Sequence, residues 1–161
     1  MWSSLSGSEP PKPNKLNIYT EEGIGNYINN INTNKNKKDK LSKYKAYMLK
    51  HYRNELCFEA IKRNNDIVFE WALNNNFKCG EYELKQIVTL NRNNFLETAI
   101  KYYFTSKKNS NIDYYKNLLY KLKNIAEENL SNFKNDKKEI EKCNDCIKII
   151  DKYILEYKKN K

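Results

Sequence analysis

A basic stretch from Lys35 to Arg53 is the part of the chain whose side chains could do recognisable chemistry. It holds eight Lys and Arg residues against Asp39 alone, a net charge of +7 within 19 residues, while the whole 161-residue chain carries +10. Lysines at this density can contact phosphates and release counterions, and interleaved tyrosines can stack on bases. We single out eight residues as candidates for binding a partner or a nucleic acid: Lys37, Lys38, Lys40, Lys43, Lys45, Tyr47, Lys50 and Arg53.

Of the three tyrosines in this stretch, Tyr47 is the one that we expect to be free for stacking. Tyr44 and Tyr52 fall with Met48 on the apolar side of a predicted helix, so their rings should be buried. Arginine, which reads bases through two hydrogen bonds, is scarce here, so base-specific recognition is not indicated. The alternative interpretation is a solvated lysine face that binds nothing.

Residue patterns that serve catalysis are missing from the sequence. It contains no Gly-rich phosphate loop, no Gly-x-Ser-x-Gly and no His-Glu-x-x-His. His51 is the single histidine, so a metal site with several histidines cannot be built. We therefore predict a protein that is not an enzyme and has no catalytic residues, no metal site and no cofactor.

Cys143 and Cys146 have a Cys-x-x-Cys spacing that could supply half of a zinc site. Tetrahedral zinc needs four ligands, so Cys57 and Cys79 would have to converge on the pair. Cys143 also belongs to the apolar side of a predicted helix, where cysteine packs well. We interpret all four cysteines as reduced structural thiols.

Apolar residues three and four apart indicate the helices that must position these groups. The predicted helices before residue 110 are a short one within Leu16–Ile31, a longer one over Leu41–Arg63, and compact ones over Asp66–Asn75, Glu81–Leu90 and Phe95–Phe104. Trp71 should lie in the core. Glycines and prolines are few, and all prolines lie between Pro10 and Pro13, which counts against a β-fold.

Residues 111–161 carry a heptad pattern with two apolar seams. One seam contains Ile112, Leu119, Ala126, Phe133, Ile140, Ile147 and Ile154, and the other contains Tyr115, Leu122, Asn129, Asp136, Cys143, Ile150 and Tyr157. Asn129 and Asp136 interrupt the second seam, and Asp136 begins a capping-box sequence. We favour two antiparallel helices, Ile112–Phe133 and Asp136–Tyr157. One continuous coiled-coil helix, through which the chain could oligomerise, is the alternative.

These patterns predict an all-α protein of stacked helical hairpins followed by a long C-terminal antiparallel helical hairpin or coiled coil. We divide it into a flexible N-terminal arm (1–15), a helical repeat domain (16–110) and the C-terminal segment (111–161). The arm is rich in Ser, Pro and Lys and buries too little apolar surface to be ordered alone. Without a run of about 18 apolar residues we expect no membrane span, and without a secretory signal we expect a soluble intracellular protein.

Residues 55–104 contain an internal repeat with a register of 27 residues. Ala60 aligns with Ile87, Asn64 with Asn91, Val68-Phe69 with Phe95-Leu96, and Ala72-Leu73 with Ala99-Ile100. The pattern resembles the ankyrin repeat in degenerate form. The family's Thr-Pro-Leu-His opening is absent, Asn replaces Gly at the turn between helices, and the register is shorter than that of ankyrin repeats. A generic stack of helical hairpins without kinship stays open as the alternative.

The ankyrin resemblance implies paired helices that stack on one another and a binding scaffold without an active site. We therefore expect a non-enzymatic adaptor that binds a protein partner, and the charge of +10 favours a partner with an acidic surface. Two alternatives remain open. One is a basic nucleic-acid or ribonucleoprotein-binding protein that uses Lys35–Arg53, and the other is a structural subunit of a larger assembly, such as a viral one.

Overall fold

The computed structural model of the chain describes residue 42, residues 45–106 and residues 111–159. Within these ranges all regular secondary structure is helical, which confirms the predicted all-α class. The helices are α1 (Lys45–Tyr52), α2 (Leu56–Lys62), α3 (Asp66–Asn74), α4 (Glu81–Thr89), α5 (Asn93–Ser106), α6 (Ile112–Asn132) and α7 (Lys137–Lys159). The predicted arm and the helix predicted within Leu16–Ile31 lie outside the described residues. None of the seven helices is long and apolar enough to cross a membrane.

The described residues fall into two compact units, one that runs up to Lys78 and one that starts at Cys79. In the first unit α2 packs on α3. In the second unit α4 packs on α5 and α6 on α7, while α4 also contacts α6 and α5 contacts α7. The boundary that we predicted between residues 110 and 111 lies inside the second unit, where the helices on both sides of it pack together.

The single helix predicted over Leu41–Arg63 is wrong, because the structure has two helices there, α1 and α2. A turn at residues 53–55 separates them. The backbone carbonyl of Arg53 accepts a hydrogen bond from the N–H of Lys78 at 2.9 Å, and the N–H of Glu55 donates to the carbonyl of Tyr52 at 3.1 Å. A distant partner therefore takes a carbonyl that a continuous helix would use internally.

Helix α2 ends in a turn that is built around Asn64. This residue has a φ of 55°, in the left-handed region that asparagine tolerates better than most other residues. Its N–H donates to the carbonyl of Ile61 at 3.1 Å, and the N–H of Asn65 donates to the carbonyl of Ala60 at 2.9 Å. These two bonds define a Schellman motif, which satisfies carbonyls at the helix end that would otherwise lack a partner.

Helix α4 ends in the same way, 27 residues further along the chain. Asn91 has a φ of 60°. Its N–H donates to the carbonyl of Val88 at 3.0 Å, and the N–H of Arg92 donates to the carbonyl of Ile87 at 2.8 Å. Each atom pair in this turn corresponds to a pair in the turn at Asn64 under the predicted register.

Burial follows the same register. The corresponding residues of the two copies are all buried: Ala60 and Ile87, Ile61 and Val88, Val68 and Phe95, Phe69 and Leu96, Ala72 and Ala99, Leu73 and Ile100. In each copy the paired positions belong to two successive helices, α2 with α3 and α4 with α5. The 27-residue echo is thus a repeated helix–turn–helix unit with one inward face per helix.

Helix α3 starts one residue earlier than the predicted cap. The side chain of Asn65, rather than that of Asp66, accepts a hydrogen bond from the N–H of Val68 at 3.0 Å, which is the usual role of an N-cap residue. Trp71 is only 8% exposed, as we predicted. Its ring lies 5.5 Å from that of Phe77, so it closes the core of the first unit.

The C-terminal residues form two separate helices, α6 and α7, with a turn at residues 133–136 between them. The carboxylate of Asp136 accepts a hydrogen bond from the N–H of Glu139 at 3.3 Å at the start of α7. Lys123 of α6 forms an ion pair with Asp151 of α7 at 2.8 Å. A single continuous helix is therefore ruled out for these residues.

Candidate functional site

The structure describes only half of the predicted basic site. Lys37, Lys38, Lys40 and Lys43 lie outside the described residues. Lys45 is half-buried at the start of α1, whereas Lys50 and Arg53 are exposed at its end. Cations near the last turn of a helix interact favourably with its dipole, so the exposed charges of Lys50 and Arg53 also suit the local structure.

Tyr47 is not the free ring that we predicted. It is only 2% exposed, and its ring lies 4.5 Å from that of His51 and 6.4 Å from that of Tyr52. The prediction assumed one helix through residue 63, with Tyr47 off its apolar side. Because α1 is a separate helix of eight residues, it turns Tyr47 and Met48 into the core together. Base stacking on Tyr47 is therefore excluded in this conformation.

The four cysteines are buried and unbridged. Burial raises the pKa of the Cys143 thiol and raises that of Cys146 to about 12, so both are protonated and poorly nucleophilic at neutral pH. Among the residues that the structure describes, no group of three His, Cys, Asp or Glu side chains could hold a metal ion. The Cys-x-x-Cys spacing here serves the core of the second unit.

A polar cluster that the sequence did not reveal joins the repeat turn at Asn91 to α7. The side-chain amide of Asn91 donates to the backbone carbonyl of Glu139 at 2.9 Å and to its carboxylate at 2.6 Å. Asn91 is 3% exposed, so these bonds form largely away from water. The sequence signal was the asparagine itself, in the place where ankyrin-like turns carry glycine.

Asn129, which interrupts the predicted seam, also binds a helix end. Its side-chain amide donates to the carbonyl of Val88 at 2.8 Å and to that of Thr89 at 3.2 Å. These carbonyls belong to the last turn of α4, where they have no partner within the helix. The polar break in the heptads is therefore a C-terminal cap for another helix.

The remaining seam residues are used within the second unit. Leu119, Leu122, Cys143 and Ile150 are each 0% exposed. Since α6 and α7 contact α4 and α5, these apolar side chains are covered by the same chain. Self-association through 112–157 would have to expose them first.

The first helix of the second repeat copy, α4, exposes two large apolar side chains. Tyr82 is 56% and Leu90, which directly follows the helix, is 37% exposed. The corresponding positions of the first copy are Glu55 and Arg63, which are charged. A difference between copies at equivalent surface positions is where a repeat protein acquires its own binding specificity.

Rings from α5, α6 and α7 form an aromatic cluster in the second unit. Phe104 lies 4.7 Å from Tyr115 and 5.6 Å from Tyr157. At its edge the hydroxyl of Tyr114 donates to the carboxylate of Glu81 at 2.7 Å. An open groove borders the cluster where α5 and α7 end.

Comparisons of the chain with protein-family models, with curated proteins and with solved structures found no match. The ankyrin resemblance therefore rests on the residues and the turns described above.

Proposed function

We propose that this chain is a non-enzymatic adaptor that binds a protein partner through ankyrin-like helical pairs. In this proposal the pairs α2–α3 and α4–α5 are degenerate repeats that stack, and α6–α7 is an antiparallel hairpin that covers the second pair. The observation that carries the proposal is the repeated turn, in which Asn64 and Asn91 share one backbone conformation and one hydrogen-bond pattern. Solenoids built from such pairs mostly serve as recognition scaffolds.

The partner surface in this proposal is the outer side of α4. Tyr82 and Leu90 are its largest exposed apolar side chains, and tyrosine is among the residues that contribute most at protein interfaces. An apolar centre surrounded by a basic chain suits a partner with an acidic rim, because the net charge of +10 raises the rate of association with an acidic surface.

A second candidate function is nucleic-acid or ribonucleoprotein binding through Lys35–Arg53. The net charge of +7 in 19 residues favours it, and so does the exposure of Lys50 and Arg53 at the end of α1. The burial of Tyr47 removes the stacking contribution. What is left is contact with phosphates, which predicts binding without sequence preference and with a steep dependence on salt.

The structural-subunit alternative receives less support from the packing. Its oligomerisation seam, residues 112–157, has its central side chains buried within the second unit. Light scattering at micromolar concentration tests this alternative, for which the adaptor proposal predicts a monomer and the subunit proposal predicts a larger species.

Affinity capture of the full chain from a lysate of its native cell distinguishes the two main candidates. The lysate is divided, and one half is treated with nuclease before capture. The adaptor proposal predicts a stoichiometric protein that survives nuclease and is retained at raised salt. Retention that disappears with nuclease, together with an affinity for nucleic acid that falls by orders of magnitude between about 50 and 200 mM salt, would overturn it in favour of the second candidate.

A further inference from the structure

An open groove of about 270 Å³ lies in the second unit where α5 and α7 end. It is lined by Lys101, Phe104 and Thr105 from α5 and by Tyr153, Glu156 and Tyr157 from α7. This volume is below the usual range for small-molecule pockets, roughly 300–1,000 Å³. The groove therefore suits one side chain rather than a whole cofactor.

Two aromatic rings form perpendicular walls of the groove. The rings of Phe104 and Tyr157 lie 5.6 Å apart at an interplanar angle of 82°, and both side chains are half-buried. Tyr153 adds a third ring, and the ammonium of Lys152 lies 5.5 Å from the centre of that ring. A ring of the groove thus already interacts with a cation, within the distance of about 6 Å typical of cation–π contacts.

The charges around these rings favour a cation. The carboxylate of Glu156 is exposed and has no ion-pair partner within the described part of the chain. After burial, the charge of Glu97 and then that of Glu156 raise the pKa of Tyr153, with Lys152 acting against them. After burial and Tyr115, Glu156 also raises the pKa of Tyr157. Lys101 opposes a cation, but it is paired with Glu97 at 3.9 Å.

We propose that this groove binds a single cationic side chain, a lysine or an arginine, that a partner protein presents. The rings would contact its alkyl stem and its charge, and Glu156 would pair with its charged end. The proposal rests on the adaptor function for the source of the side chain. The preference of the groove for a cation is a property of the free protein and can be measured without a partner.

The test is an NMR titration of the full chain that follows the ring resonances of Phe104, Tyr153 and Tyr157. The two probes are N-acetyl-lysine N-methylamide and N-acetyl-norleucine N-methylamide, which has a similar stem without the ammonium group. We expect the lysine probe to shift these resonances and to bind about two- to fivefold more tightly than the norleucine probe.

Variants of the two groove charges sharpen the test. Glu156→Gln should weaken the lysine probe about two- to fivefold, as expected for loss of an exposed ion pair, and Lys101→Gln should strengthen it. Glu141→Gln is the matched control, because Glu141 is an exposed carboxylate on the same helix that does not line the groove. Equal binding of both probes, or no response to Glu156→Gln, would overturn the proposal. Failure to capture a protein from lysate would instead count against the adaptor function alone.

Discussion

Asn64 and Asn91 hold the same left-handed backbone conformation at equivalent points of two turns that are 27 residues apart. Their side chains do different things. Asn64 is exposed, whereas Asn91 is buried and donates two hydrogen bonds to Glu139. The backbone requirement is therefore shared by the two copies, while the link to α7 belongs to the second copy alone.

Glycine at the two turn positions should separate these contributions. Asn64→Gly should leave the free energy of unfolding nearly unchanged, because glycine adopts a positive φ at no steric cost. Asn91→Gly should lower it by about 1–3 kcal/mol, since Glu139 loses a hydrogen-bonded partner in a buried site. Urea unfolding of both variants measures the difference. Equal stability of the two variants would show that the side chain of Asn91 contributes nothing.

Replacing Asn129 by leucine should destabilise the protein, although it completes the heptad seam. The variant loses the amide that caps the carbonyls of Val88 and Thr89, at an expected cost of about 1 kcal/mol. Asn124→Leu is the control, because Asn124 is exposed on the same helix. Thermal unfolding compares them, and a higher Tm for Asn129→Leu than for the parent protein would contradict the capping role.

The pair Tyr114 and Glu81 predicts a dependence of stability on pH. The hydrogen bond from Tyr114 and then the contact with Lys85 lower the pKa of Glu81 below its ordinary value of 4.5. A lowered folded-state pKa stabilises the protein above the unfolded pKa, and this contribution is lost as the pH falls through the folded value. Tyr114→Phe should raise the pKa of Glu81, and its loss of stability should shrink as the pH falls below 4.5.

An NMR titration of the Glu81 carboxylate checks this prediction. Lys85→Gln is the comparison, because its ammonium lies 3.1 Å from the same carboxylate. Added salt should weaken the effect of Lys85 more than that of Tyr114, since exposed ion pairs are screened. A pKa of Glu81 that does not move in Tyr114→Phe would mean that the hydroxyl does not bind the carboxylate in solution.

The four thiols should be unreactive in the native protein. They are buried, and the pKa of Cys146 is raised to about 12, so little thiolate forms near neutral pH. Labelling with an aromatic disulfide reagent should be slow until the chain is unfolded in urea, after which all four react. A chelator should leave the Tm unchanged. Protection of the thiols that EDTA abolishes would instead indicate a bound metal.

Apolar spacing was sufficient to predict the five helices from α3 to α7, with ends that differ by at most two residues from those observed. Each of these helices is bounded by a local signal, such as the asparagine turns or the cap at Asp136. The break between α1 and α2 has no such signal. It depends on the bond between the carbonyl of Arg53 and the N–H of Lys78, and a contact between residues 25 positions apart is not encoded in the spacing of apolar residues.

The candidate site was harder to predict for the same reason. The orientation of Tyr47 changed once α1 became a separate helix, so its burial depended on that distant contact. Asn129 was visible as a polar interruption, but the carbonyls that it caps are 40 and 41 residues away. The pairing of Phe104 with Tyr157 across α5 and α7 likewise depends on how the helices pack.

The binding surface on α4 tests the adaptor proposal most directly. The captured protein would be titrated calorimetrically with the parent chain, with the double variant Tyr82→Ser and Leu90→Ser, and with Tyr120→Ser, a control for an exposed tyrosine on α6 that is 38% exposed. We predict at least about a tenfold weaker affinity for the double variant, as for loss of an interface anchor, and less than about a twofold change for the control. Equal affinity of all three proteins, with circular dichroism showing unchanged helix content, would contradict the account.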